Sequence, residues 1–202
     1  MWASGPPAET RPGAESSNCV PIVSAPIEAP TAKARRPSTD RLALLLATAG
    51  GAGYAPVAPG TAGSALAVLL YLPLSALAPG LYAGVVLGLL IGGVWASGVA
   101  ERLFASPDDG RIVIDEVVGQ LLTLAPLLVL APVGRMRSPL LLLGGFLLFR
   151  LLDIAKPGPI GWGERRFHGG LGVMIDDVIA GVLGGLVVAL FLIGAVALGA
   201  LS

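Results

Sequence analysis

The run GGLGVMIDDVIAGVLGGLVVALFLIGAVALGA, residues 169–200, decides the fold class. From Val178 onward it carries no charge, and as a helix that length crosses the hydrocarbon of a bilayer, about 30 Å thick. Asp176 and Asp177 stand at its start, where burial in lipid costs a carboxylate about 2.5–3.5 kcal/mol on insertion scales. Acids so placed either complement the helix dipole or carry chemistry. The juxtaposition recurs in DDGRIVIDE at 108–116, FRLLDIAKPGPI at 149–160 and ERRFH at 164–168, each bordering an apolar run.

Composition agrees with a membrane reading. The 202 residues are 54% hydrophobic and 13% charged, half the charged fraction of a typical soluble domain, about 25%. Zero net charge argues against a nucleic-acid partner. The 29 glycines favour close helix packing. A lone Cys19 excludes an intrachain disulfide and a thiolate metal cluster. The start of the chain lacks the apolar core of a signal peptide. Residues 1–40 hold seven of the 17 prolines and read as a disordered tail, leaving 41–202 as the membrane domain.

Ser38-Thr39-Asp40 offers N-cap chemistry to a short helix, Leu42 to Ala47. A Gly/Pro-rich loop follows, then five candidate spans at 62–78, 81–100, 112–131, 139–155 and 177–200. The expected architecture is all-α, an integral membrane bundle of about five spans. Gly84, Gly88 and Gly92 form a small-residue ridge in the second span, suited to an internal contact or to a dimer. Counting crossings places segment 55–64 and all the acidic clusters on one side, with Arg135 and Arg137 opposite. The clustered side also carries Arg41, Arg102, Arg111, Lys156, Arg165 and Arg166, so it is expected to face the cytoplasm.

On that side Asp115 and Glu116 open one helix, Asp176 and Asp177 another, and Asp153 ends a third. Five converging carboxylates repel one another unless a cation compensates them. Oxygen-only donors suit a hard ion such as Mg²⁺, and one histidine without a nearby cysteine disfavours zinc. Arg111, Arg150 and Lys156 are candidates to hold phosphate, although Asp153 is an equally good ion-pair partner for Arg150. His168 is a candidate general acid. Gly169 and Gly170 would let backbone amides meet an anion, and Thr61 and Ser64 either bind phosphate or cap a helix. The combination points to metal-assisted phosphoryl chemistry on a lipid.

These same residues closely resemble the bacterial phosphatidylglycerophosphatase A family. Gly51, Gly53, Pro56, Pro59, Gly60, Thr61, Gly63 and Ser64 match its opening block, with Ala49 where the family often has Gly and Ala52 where a small hydroxyl is common. Gly110 to Val113 with Asp115, Glu116 and Gly119 match the second block. Phe149, Arg150, Asp153, Lys156, Pro157, Pro159 and Ile160 match the third. Gly169, Gly170, Gly172, Asp176, Asp177, Ala180 and Gly181 match the fourth. The resemblance implies a Mg²⁺-dependent, all-helical phosphatase that acts on phosphatidylglycerophosphate at the cytoplasmic membrane and makes phosphatidylglycerol. Two other classes compete. A phosphatidyltransferase would need a longer aspartate motif, which Asp108-Asp109-Gly110-Arg111 matches only superficially, and an ion carrier would place its acids nearer the bilayer midplane.

Overall fold

Proline opens four of the helices, at Pro37, Pro59, Pro79 and Pro139, where its missing N–H costs nothing and its fixed φ suits the first turn. The computed structural model describes residues 37–132, 134–156 and 169–199. These form α1 (Pro37–Ala47), a 3-10 segment (Ala49–Tyr54), α2 (Pro59–Leu74), α3 (Pro79–Phe104), α4 (Ile114–Leu124), α5 (Leu127–Leu130), α6 (Pro139–Ala155) and α7 (Gly170–Ala197), with no strand among the described residues. The all-α expectation holds.

The boundaries differ in instructive ways. The first helix begins a turn early, so Ser38, Thr39 and Asp40 lie inside it instead of capping it. The last begins at Gly170, which puts Asp176 and Asp177 in its second turn. The stretch expected to span at 112–131 is broken between α4 and α5. Pro126 has no N–H to continue the ladder, and the Ala125 N–H tightens onto Leu122 O at 3.3 Å. Leu121 O, released from that bond, accepts the Tyr82 hydroxyl of α3 at 2.8 Å. Ala49 takes a left-handed φ of 47°, followed by Gly50 and Gly51 at 69° and 102°, a run in which glycine is favoured and alanine strained.

Among the described residues, only α3 and α7 are long and apolar enough to cross a membrane by themselves; α2, α4 and α6 are shorter. The core is apolar, and apolar side chains also cover much of the outer surface. Large apolar side chains face outward on α7, as at Leu186, Leu190, Phe191 and Ile193, while Asp115, Gln120, Thr123, Asp176 and Asp177 are buried. Helix α4 is central and packs on α2, α3, α6 and α7. Its crossing with α7 is made by glycine: a Cβ on Gly181 would come 2.5 Å from Gly119 O, and one on Gly184 2.8 Å from Thr123 Oγ1. The expected ridge on α3 is not an internal contact. Gly84 and Gly88 have open space before them, and only Gly92 is covered, by Leu46 of α1.

Candidate metal and phosphate site

Five chain ends meet at one end of the bundle. Asp115 and Glu116 occupy the first turn of α4 because Val113, just before it, is pinned by its N–H to Ala47 O at 2.9 Å. Gly63 of α2 lies against Val113, and Gly60 lies against both Glu116 and Arg150, where a Cβ would overlap Glu116 Oε1. Asp177 is brought across by the glycine contact of α4 with α7, its own carbonyl lying over Gly119. Phe149 and Arg150 come from the far end of α6.

Carboxylate oxygens of Asp115, Glu116 and Asp177 lie within 4.8 Å of one another. Asp115 and Asp177 are 8% and 3% exposed. Among the described residues, one oxygen on each acid, Asp115 Oδ1, Glu116 Oε2 and Asp177 Oδ2, is buried without a hydrogen-bond partner. Such orphaned anionic oxygens cost several kcal/mol unless compensated. Oxygen donors at this spacing fit one hard divalent cation of the magnesium kind.

The other two acids are already engaged. Asp153 Oδ2 pairs with Arg150 Nη1 at 2.7 Å, and the same guanidinium lies 4.0 Å from Glu116 Oε1. Asp176 Oδ2 accepts from Lys156 Nζ at 2.7 Å. Among the described residues, five carboxylates thus face two cations. Lys156 caps α6 in a left-handed conformation, φ 40°. A long side chain held there, where glycine would be unstrained, marks a constrained position.

Arg111 is differently placed from the phosphate-binding expectation. Its Nε and Nη2 donate to Asp109 at 2.7 and 2.8 Å, and its guanidinium stacks 3.7 Å over the Phe104 ring. That hydrogen bonding holds the Asp109 carboxyl below the ordinary carboxylate range. Ser64 Oγ donates to Gly60 O within its own helix at 3.0 Å, and Thr61 is exposed on the same turn. Gly169 has φ 67° and caps α7, while Gly170 packs on the α3 backbone at Val94. His168, Arg165 and Arg166 lie outside the described residues.

One polar residue escaped the sequence reading. Gln120 is fully buried, with neither amide atom partnered among the described residues. The signal was present, since Gln120 follows Glu116 by one helical turn and therefore shares its face.

Residues 45–192 match the family model described as phosphatidylglycerophosphatase A. The chain is 40% identical over 140 residues to phosphatidylglycerophosphatase A of Escherichia coli, covering 69% of this chain and 77% of that one. It is 38% identical over 153 residues to a putative phosphatidylinositol-3-phosphatase of Bacteroides thetaiotaomicron, covering 73% and 91%. The Haemophilus influenzae phosphatidylglycerophosphatase A is 34% identical over 145 residues, covering 71% and 85%. No solved structure matches the chain. With the model spanning most of the sequence and the blocks that build the acidic site inside it, the chain belongs to the phosphatidylglycerophosphatase A family.

Proposed function

We propose that this protein removes the terminal phosphate of phosphatidylglycerophosphate, yielding phosphatidylglycerol and inorganic phosphate. The observation that carries this reading is the trio of orphaned carboxylate oxygens on Asp115, Glu116 and Asp177; the substrate comes from the names of the two phosphatidylglycerophosphatase relatives. These three acids would hold Mg²⁺, which when bound offsets their charge and draws electron density from the phosphate oxygens. Arg150 and Lys156, oriented by Asp153 and Asp176, meet the phosphate dianion with charge-assisted hydrogen bonds. Fixing both cations before the substrate arrives lowers the reorganisation needed as negative charge develops on the leaving oxygen. His168, which lies in sequence between Lys156 and α7, is assigned the proton transfer to that oxygen.

In the same reading the chain is a multi-pass protein of the bacterial inner membrane. Helices α2, α3, the α4/α5 pair, α6 and α7 are its five spans, and the acidic end faces the cytoplasm. Support comes from the outward-facing apolar side chains and from the excess of Lys and Arg at the acidic end.

The test is phosphate release by purified protein from phosphatidylglycerophosphate, phosphatidate and a phosphatidylinositol phosphate, with Mg²⁺ or with chelator. Chelator-sensitive release from phosphatidylglycerophosphate above the other two is expected. Equal release with and without chelator would refute the metal assignment, and preference for another lipid would refute the substrate. A cytoplasmic location for a tag in loop 132–138 would refute the orientation.

A further inference from the structure

Beside the acidic trio, α3 and α7 part to leave a cleft of about 440 Å³, lined by Glu101, Arg102, Asp108, Gly169, Gly172 and Asp176 among others. We infer that this cleft is the subsite for the portion of the headgroup behind the scissile phosphate, a hydroxylated linker joined through a phosphodiester. The inference rests on the lipid-phosphatase reading and adds to it what the enzyme recognises besides the terminal phosphate.

The cleft and the acidic trio are linked through adjacent residues of α7. Asp176 lines the cleft and holds Lys156, while the next residue, Asp177, belongs to the trio. In the inferred pose a ligand with its monoester at the trio runs past Lys156 toward the cleft. The volume lies within the range of small-molecule sites, roughly 300–1,000 Å³, and its charged groups stand among apolar Ala105, Pro107 and Val173. Glu101, Asp108 and Asp176 supply carboxylate oxygens, which accept from hydroxyl groups. Glu101 is held in place because its Oε1 accepts the Asp108 N–H at 3.0 Å. Its Oε2 faces Gly169, where a Cβ would stand 3.9 Å away.

Carboxylates alone would repel a phosphodiester, and Arg102 answers that charge. Its guanidinium has no ion-pair partner among the described residues. It lies beside Gly98 at the start of α7: a Cβ on Gly98 would be 3.8 Å from Arg102 Nη1 and 3.5 Å from the Gly170 amide nitrogen. An unpaired guanidinium beside the positive end of a 28-residue helix is suited to a monoanionic diester. A phosphatidate, whose monoester is attached directly to the lipid backbone, would leave the cleft unfilled.

The test uses the reaction product, which carries the diester and the glycerol but not the monoester. Wild type, R102A and R102K are assayed for phosphate release in mixed micelles at constant total lipid. Either phosphatidylglycerol or inorganic phosphate is the inhibitor, and phosphatidylcholine replaces phosphatidylglycerol in the control. The expected result is an inhibition constant for phosphatidylglycerol raised about tenfold in R102A, the size of one charge-assisted hydrogen bond, and partly restored in R102K. Inhibition by inorganic phosphate should change less than twofold. Unchanged phosphatidylglycerol inhibition in R102A, or equal weakening of both inhibitors, overturns the subsite. Calorimetric binding of phosphatidylglycerol to the same proteins separates the two ideas. An inactive wild type that still binds through Arg102 would defeat the phosphatase reading and keep the cleft. Melting temperatures confirm that each variant is folded.

Discussion

Gly181→Ala tests whether the α4/α7 crossing sets the acidic site. The new Cβ would lie 2.5 Å from Gly119 O, 2.8 Å from Gly119 Cα and 3.0 Å from Gly119 C. Ordinary van der Waals contact begins near 3.4 Å, so the two backbones must separate by almost an ångström. All three opposing atoms are main chain, and no rotamer change relieves them. Overpacking of this kind costs about 1–3 kcal/mol. The functional cost should be larger. Asp177 lies one turn from Gly181 on α7, and its partners Asp115 and Glu116 are on α4, so separation opens the trio itself. Metal–ligand distances tolerate only about 0.2 Å, and a misplacement near 1 Å costs on the order of 10²-fold in rate. The assay is phosphate release as a function of Mg²⁺ concentration, with a thermal melt in parallel. A hundredfold loss in turnover, partly recovered at high Mg²⁺, with melting lowered by only a few degrees, is expected. Wild-type turnover at wild-type Mg²⁺ concentration would show that the crossing does not govern the site.

Asp177→Asn should abolish Mg²⁺-dependent phosphate release, and it should also remove the upward shift in melting temperature that Mg²⁺ gives the wild type, since a ligand bound only by the folded state stabilises it; an intact shift would take Asp177 out of the metal set. Lys156→Met removes the cation on Asp176 and should lower kcat/KM roughly 10–100-fold, as for a lost charge-assisted hydrogen bond, with Lys156→Arg recovering part; unchanged kinetics would leave Lys156 a structural cap alone. Tyr82→Phe removes the donor to Leu121 O and should cost about 0.5–1.5 kcal/mol of stability while turnover stays within twofold, measured by denaturation in detergent and by phosphate release.

What the sequence disclosed depended on the kind of signal each element carried. Helix α6 was legible to the residue, because Ser138-Pro139 sets its start and Lys156-Pro157 its end. The gathering of the acidic ends was legible from the alternation of the expected helices, whatever their exact limits: α4 and α7 begin, and α6 ends, at the acidic site. The break at Ala125–Pro126 was not, because an apolar run with one proline reads as continuous until Tyr82 is known to satisfy Leu121 O. Nor was the start of α7. Gly169 to Gly172 reads as loop by propensity, yet Gly170 must lack a side chain to pack on the α3 backbone, and tertiary contact overrides the intrinsic cost of glycine in a helix. The division of labour among the five acids was also invisible, for spacing shows which acids converge and not which already have cations.

The glycines and the carboxylates answer one physical problem. Helices α4 and α7 associate by close backbone contact, which Gly119, Gly181, Gly184 and Gly185 permit. The same closeness forces Asp115, Glu116 and Asp177 together at the end of the crossing, where their mutual repulsion opposes the packing that brought them there. Arg150 and Lys156 relieve part of it through Asp153 and Asp176, and each leaves the trio's orphaned oxygens unmet. A bundle so arranged is tight along its length and electrostatically strained at one tip. If a cation binds there, as proposed, it would relieve that strain, so metal affinity and helix packing would draw on the same free energy and a change to either would be felt in the other.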